Sequence, residues 1–512
     1  MKKWLLSATA TVAAGLFVTA DARDEGYRLP PAEIADIVLR APAPSVSVSP
    51  DGETLLLLER ESLPPVAELA KPMERLAGQR LDAATNDNFN PRNFVGLSLQ
   101  DIATGEVREV SLPANADIAD QNWSPDGRYV AFTNTTADGM SLWVLDTENA
   151  RAREVLSEGI NPIFQEPRWL PDGRLLVLTI PENRGDKPVR SLTPPGPAIQ
   201  DAKGGQDAQT RTYQDLLKDP HDTAFYKWLA TSQPMVMRPN GRGKELIGEP
   251  RIYVDASPSP NGDYLLMEWV HEPFSYQVPW YRFPTTTAVW TMDGEPVKTI
   301  ARQPLADSLP VQGVVTGPRR ITWHPTAEAT LMWAEALDGG DPRTETDERD
   351  ALMTLSAPFS GDAARLHVFE DRYSGFTGLA GDDDIIAYDY DRDTREVRTA
   401  LLDVTGPNEP RVIEVRNYQD AYNDPGSPIE VLNDAGFSVA HVNAGKIFLS
   451  GNGASPEGAR PFLRSFDLES FETEELWRNS GEEYEFVVDL AAEDGSAFVT
   501  YYENPTTPGN YR

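Results

Sequence analysis

The chain has 512 residues, no cysteine, and 80 Asp and Glu against 46 Lys and Arg, for a formal net charge of −34. That balance argues against nucleic acid as a partner, because phosphate binding needs a basic face that releases counterions. Without cysteine there are no disulfides, thiolate nucleophiles or cysteine-based zinc sites, and so large an acidic excess reads as a solvated surface.

Lys2 and Lys3 precede an apolar stretch from Trp4 to Val18 that closes on Ala20-Asp21-Ala22. This is the pattern of a secretory signal peptide cleaved after Ala22. The stretch is shorter than the ~20 residues a spanning helix needs, and no later segment approaches that length. Residues 1–22 are therefore expected to direct export to the periplasm or medium, leaving residues 23–512 with no membrane contact.

A short pattern then recurs along the chain. Ser49-Pro50-Asp51-Gly52, Trp123-Ser124-Pro125-Asp126-Gly127, Trp169-Leu170-Pro171-Asp172-Gly173 and Ser259-Pro260-Asn261-Gly262 each stand before a segment read as an alternating apolar strand. Pro presets φ at the first turn position, Asp or Asn caps the turn with its side chain, and Gly takes the positive φ. The flanking runs then pair as a hairpin. Degenerate copies follow at Trp323-His324-Pro325, Gly381-Asp382-Asp383, Gly445-Lys446 and Glu493-Asp494-Gly495. Third strands ending in an acidic residue are expected at Leu142–Asp146 and Val289–Asp293.

The eight turns lie 46 to 89 residues apart, at or above the ~40–50 residues that one propeller blade requires. An all-β fold follows: a β-propeller of seven or eight four-stranded blades, eight being favoured by the count. The last hairpin begins near Glu482, so a complete final blade would run past Arg512, and that blade is expected to be incomplete. A layered β-sandwich does not explain one turn chemistry repeated eight times in one strand context.

Two insertions carry helical spacing: residues 64–82, through Val66, Leu69, Met73, Leu76 and Leu81, and Thr210–Ala230, around Tyr213, Leu216, Leu217, Phe225 and Trp228. Between them, residues 181–205 are rich in Pro, Gly, Asp and Lys and read as an exposed loop.

Few residues present themselves for chemistry. His221, His271, His324, His367 and His441 show no metal-ligand spacing, and each is expected to be structural. Asp389-Tyr390-Asp391-Arg392-Asp393 resembles the start of a calcium loop, but Thr394 stands where Gly is needed and Ala400 where a bidentate Glu is needed. No cofactor or metal is expected. The best candidate is the segment 271–284, where Phe274, Tyr276, Trp280 and Tyr281 gather around Arg282 outside the repeat. Loops between blades are where propellers make contacts, and Arg282 suits a carboxylate. The competing reading is that these aromatics fill a blade interface.

The repeated hairpins and the closing Tyr501-Tyr502-Glu503-Asn504-Pro505-Thr506-Thr507-Pro508-Gly509-Asn510-Tyr511 resemble the propeller half of prolyl-oligopeptidase-family serine peptidases. Arg211-Thr212-Tyr213-Gln214-Asp215-Leu216-Leu217-Lys218-Asp219, Pro273–Pro279 with Arg282-Phe283-Pro284, and Trp333–Pro342 are similar to the glutamyl-endopeptidase branch. The resemblance implies hydrolysis of peptide bonds by a Ser-Asp-His triad, with a preference for cleavage after Glu. It also implies that such a propeller leads into a C-terminal α/β-hydrolase domain. No Gly-x-Ser-x-Gly nucleophile elbow occurs in these residues, so no catalytic residue is carried over and the chain alone is expected to be inactive. The rival reading is a binding module, a free-standing periplasmic propeller of the TolB-like kind, which shares the hairpin signature.

Overall fold

The structure, a computed structural model, describes residues 30–90, 93–136, 139–191, 211–404, 409–481 and 483–512. The expected signal peptide and the second half of the 181–205 loop lie outside these residues. A helix, Ala32–Val38, belongs to a unit ending at Ala41, and a second unit runs from Pro42 to Arg512.

The second unit is a succession of antiparallel sheets. Sheet 1 holds Ser45–Val48, Thr54–Glu59, Gly96–Asp101 and Val107–Glu109. Sheet 2 holds Ile118–Trp123, Tyr129–Thr136, Gly139–Asp146 and Arg151–Leu156. Sheet 3 holds Arg168–Trp169, Leu175–Thr179, Gln233–Met237 and Glu245–Leu246. Sheet 4 holds Ile252–Pro258, Tyr264–Val270, Thr285–Thr291 and Pro296–Gln303. Sheet 5 holds Arg319–Trp323, Thr330–Ala336, Asp350–Ser356 and Ala364–Phe369. Sheet 6 holds Arg372–Leu379, Asp382–Tyr390, Glu396–Leu402 and Arg411–Asn417. In sheet 7 an interrupted first strand, Ser427–Pro428 and Val442–Asn443, precedes Lys446–Gly451, Phe462–Asp467 and Thr473–Arg478. Sheet 8 has three strands, Tyr484–Leu490, Phe498–Asn504 and Thr507–Tyr511.

All eight signature turns, degenerate ones included, connect the first strand of a sheet to the second. In the three copies that carry Ser, its hydroxyl accepts from the backbone N–H five residues on: Thr54 N to Ser49 Oγ at 2.9 Å, Tyr129 N to Ser124 Oγ at 2.9 Å and Tyr264 N to Ser259 Oγ at 3.0 Å. The same hydroxyl donates to the turn carboxylate or amide, Ser124 to Asp126 at 2.6 Å and Ser259 to Asn261 at 2.7 Å. The turn glycines at 52, 127, 173 and 262 have φ between +68° and +77°, a region closed to most side chains. In sheet 5, His324 replaces the serine, and its Nδ1 faces the N–H groups of Thr326 and Ala327 at 3.4 and 3.3 Å.

The tryptophans that precede these turns tie neighbouring sheets together. Trp123 Nε1 donates to Ser47 Oγ of sheet 1 at 2.9 Å, Trp169 Nε1 to Asn122 O of sheet 2 at 3.2 Å, and Trp323 Nε1 to Ser257 O of sheet 4 at 3.0 Å. Each indole thus fills apolar space and satisfies a polar group on the preceding first strand.

The core is divided into slabs, one between each consecutive pair of sheets. Leu175 and Val177 face sheet 2, whereas Leu176 and Leu178 face sheet 4. Leu331 and Trp333 pack on sheet 4, Met332 and Ala334 on sheet 6. The expected alternation gives way here to continuous burial, as in Leu175–Thr179, because strands covered on both faces need apolar residues at every position. Sheet 7 meets sheet 8 through Phe448, Leu463, Val487 and Leu490. Sheet 8 returns to sheet 1, where Gly52 sits against the backbone of Ala491.

The insertions differ from their helical reading. Of residues 64–82 only Val66–Leu69 is helical, while Glu74–Leu76 and Gln79–Asp82 are strands paired in a small three-stranded sheet with Asp87–Asn88. Gly78, at φ +87°, turns the chain there, and its N–H bonds to Asp215 O. The later helix is confined to Pro220–Ala230, because Asp219 caps it and Pro220 occupies its first turn.

Trp323 is 1 % exposed. Trp323→Phe should lower stability by about 2–3 kcal/mol, from lost volume and an unpaired Ser257 carbonyl. The measurement is the urea midpoint at constant m-value.

Candidate functional site

Antiparallel connectivity sends the long connections to one face. The links from second to third strand in sheets 1, 3, 4 and 5, residues 60–95, 180–232, 271–284 and 337–349, all emerge opposite the signature turns. We call the two sides the insertion face and the turn face.

On the insertion face three of these segments share one apolar core, built from Leu76, Leu81, Leu217, Phe225, Tyr226, Val278 and Phe283. Polar contacts lock it. Asn86 Nδ2 donates to Leu229 O at 3.0 Å, Asn88 Nδ2 to Ile163 O at 2.9 Å, and Trp280 N to Ala77 O at 2.8 Å. Arg80 Nε lies 2.9 Å from Asp215.

The aromatic segment divides between this cap and solvent. Phe274 meets Tyr226 edge-on at 5.7 Å and stacks on Phe283 at 5.2 Å, and Trp280 lies edge-on to Phe164 at 4.8 Å. Tyr276 and Tyr281 are exposed. Arg282 lines a small pocket with Arg211, Tyr213 and Gln312. Neither guanidinium has a carboxylate partner among the described residues. The segment thus brings Tyr276, Tyr281 and Arg282 to the surface and leaves Phe274 and Trp280 in the packing beneath.

A group able to hold a metal among the described residues is Asp219, His221 and Asp222, at the start of the cap helix. A guanidinium already stands there, with Arg190 Nη1 at 2.5 Å from Asp219 and Nη2 at 2.6 Å from Asp222. The other histidines are dispersed. His324 Nε2 meets Asp383 O at 2.8 Å, His441 Nε2 meets Glu493 O at 2.7 Å, and His271 lies beside Thr286. In the 389–393 run, Asp391 accepts from Asp393 N and Thr394 Oγ1, both at 2.8 Å, which closes an inter-strand turn.

The first strands line a central channel. Bulges interrupt them in sheets 2 and 5, where Asp120 and Arg320 adopt φ of +52° and +54°. A cavity of about 380 Å³ there is lined by Asn122, Gln165, Glu166, Arg168 and Asp255, with Leu432 and Gly436. Arg168 lies 3.4 Å from Asp255. Burial, reinforced by the charges of Asp87 and Glu166, pushes the Asp120 carboxyl up to about 7. Burial likewise pushes Asp87 up to about 6, and burial with the charge of Asp255 pushes Glu268 up to about 7.

Sheets 5 and 6 carry a second network. Asp350, with no exposed side-chain surface, receives Arg319, Arg372 at 2.6 Å and the N–H of Tyr373 at 2.8 Å. Asp338 receives Arg349 at 2.9 Å and Arg372 at 2.5 Å. This anchors the 337–349 insertion to the next sheet. Sequence reasoning missed both networks, because their members are scattered and carry no common spacing.

Sheets stacked face to face about a channel define a β-propeller. Along nearly its whole length the chain resembles the propeller portion of a prolyl-oligopeptidase-family peptidase, of the kind named glutamyl endopeptidase. It is 36% identical over 493 residues, 91% of its length, to a probable chloroplastic glutamyl endopeptidase of Oryza sativa subsp. japonica, covering 52% of that protein. With the protein of the same name in Arabidopsis thaliana it shares 36% identity over 496 residues, 91% of this chain and 51% of that one. The chain therefore spans about half the length of the curated relatives it matches. Among solved structures, a prolyl endopeptidase aligns over 91% of this chain and 55% of that chain, at 11% identity and a TM-score of 0.45. No protein-family model matches the chain. Among the described residues no helix is long and apolar enough to cross a membrane.

The raised carboxyls set a pH dependence. In the folded state Asp120 and Glu268 hold protons up to about pH 7, whereas in the unfolded chain they release them near 4, so stability falls as pH rises through 7. His324 and His367, held below their ordinary value chiefly by burial, oppose this only below about 6.5. The urea midpoint should therefore be higher at pH 6.5 than at pH 8, and Asp120→Asn with Glu268→Gln should remove most of the difference.

Proposed function

We propose that this chain is the substrate-gating propeller of an exported serine peptidase that hydrolyses peptide bonds, with a preference for cleavage after Glu. The observation that carries the reading is 36% identity along nearly the whole chain to relatives named glutamyl endopeptidases, of which it spans half. The triad then belongs to a C-terminal α/β-hydrolase domain, and peptides are the substrates. In this reading residues 23–512 make up the propeller and the sequence pattern of residues 1–22 supports export.

The insertion face is where that domain would sit. It exposes Leu63, Val66, Leu69, Tyr276, Tyr281, Val311 and Leu337, an apolar set suited to a partner surface. The turn face offers mainly the polar Asp and Gly of its reversals. Tyr276, Tyr281 and Arg282 would contact substrate at this junction, with Phe274 and Trp280 fixing the segment from below, and Arg282 pairing with an acidic side chain.

Two measurements test this. Residues 1–512 alone should neither hydrolyse Glu-containing peptides nor react with a fluorophosphonate, whereas the product of a reading frame extended into a Gly-x-Ser-x-Gly segment should do both. In that longer protein, Arg282→Ala should raise KM for Glu-containing peptides by about tenfold or more, with a smaller change in kcat, because it removes a charge-assisted contact made in the ground state. An unchanged KM would remove Arg282 from the site.

A further inference from the structure

The first strand of sheet 7 is broken midway. Ser427–Pro428 pairs with Leu449 and Ser450, Ile429 N still donates to Phe448 O at 2.8 Å, Val442–Asn443 pairs with Lys446 and Ile447, and residues 430–440 leave the sheet between them. Inside this excursion Glu430–Leu432 and Ser438–Ala440 form a hairpin with the tip Asn433-Asp434-Ala435-Gly436. Asn433 Oδ1 closes the tip by accepting from Ala435 N and Phe437 N, at 3.1 and 2.9 Å.

The hairpin crosses the channel. Ala440 pairs with Leu379 at the turn-face end of the first strand of sheet 6. Asn433 Nδ2 donates to Pro325 O, in the signature turn of sheet 5, at 2.8 Å. A Cβ on Gly436 would stand 3.3 Å from Pro125, in the turn of sheet 2, and 3.9 Å from Trp169 O of sheet 3. Leu432 packs on the slab between sheets 1 and 2, and Phe437 on the slab between sheets 4 and 5. At its base, His441 Nε2 reaches Glu493 O in the turn of sheet 8. A hairpin rooted in one sheet therefore touches turns or slabs all around the ring, and all its turn contacts lie on the turn face.

We propose that residues 430–440 are a plug that closes the central channel at the turn face and makes it a blind chamber. A polypeptide cannot then thread from face to face. What reaches Arg168 and Asp255 is a chain end or a small solute admitted from the insertion face. The inference rests on contacts within this chain and is independent of the peptidase assignment.

The absence of native cysteine provides the test. In the full chain, Glu166→Cys places a single thiol at the channel cavity and Glu148→Cys a control thiol on an exposed turn. Each is labelled with N-ethylmaleimide and with a maleimide borne directly on a bulky, branched group that cannot enter as a chain end. With the hairpin intact, the bulky reagent should modify Cys at 166 much more slowly than at 148. Replacing residues 430–440 by a short Gly-Ser turn should raise the bulky rate at 166 by about tenfold or more and leave 148 unchanged, because access no longer waits on local opening. Asn433→Ala with Phe437→Ala keeps the chain length and should act in the same direction, and thermal melting of both variants establishes that they fold. A bulky rate at 166 that is the same with the tip seated and unseated, in a folded variant, overturns the plug.

Discussion

The structure depends on one reversal repeated around a ring, between the first and second strands of each sheet, joined in sheets 2, 3 and 5 by an indole that reaches the sheet before it. The reversal fixes register, since a slip of one residue would exchange the two faces of a strand. The indole fixes spacing, since its ring fills the slab while its N–H satisfies a group on the neighbouring strand. A sheet held in both ways has both faces covered. Leu175 to Leu178 and Leu331 to Ala334 can then be apolar throughout without leaving a face in water.

Consistent up-and-down connectivity separates the two faces by role. Signature turns are short and chemically constrained, so they leave little room for variation. Connections on the opposite side are free to lengthen, and there they fuse into a cap with its own apolar core. The channel between is polar and partly dehydrated. Asp87, Asp120 and Glu166 crowd the side formed by sheets 2 and 3 and the cap, while Arg319, Arg349 and Arg372 neutralise Asp338 and Asp350 on the side of sheets 5 and 6. Burial opposes ionisation on the first side; on the second it still raises the Asp350 carboxyl against its two guanidiniums, while against the same burial the arginines beside Asp338 hold that carboxyl below its ordinary value.

Much of the fold was legible because its determinants are local. Pro, Asp and Gly at fixed offsets define a reversal whatever surrounds it, and even the degenerate copies at His324, Gly381, Gly445 and Gly495 occupy the expected place. The helical reading of residues 64–82 failed because spacing alone does not separate a helix from short strands folded back on one apolar core. Leu76 and Leu81 are buried in that core from two strands joined at Gly78. The aromatic segment was visible as composition, yet which rings pack and which face solvent was set by Tyr226 and Phe164, distant in sequence.

The repeat, the turn chemistry, the β-prone segments and the resemblance to peptidase relatives are legible in the sequence alone, because all of them reside in neighbouring residues. Only the folded ring brings the long connections to one face, gathers scattered carboxylates and arginines in the channel, and carries residues 430–440 across it. Those outcomes depend on distances between segments far apart in the chain, which ring closure sets and no local pattern encodes.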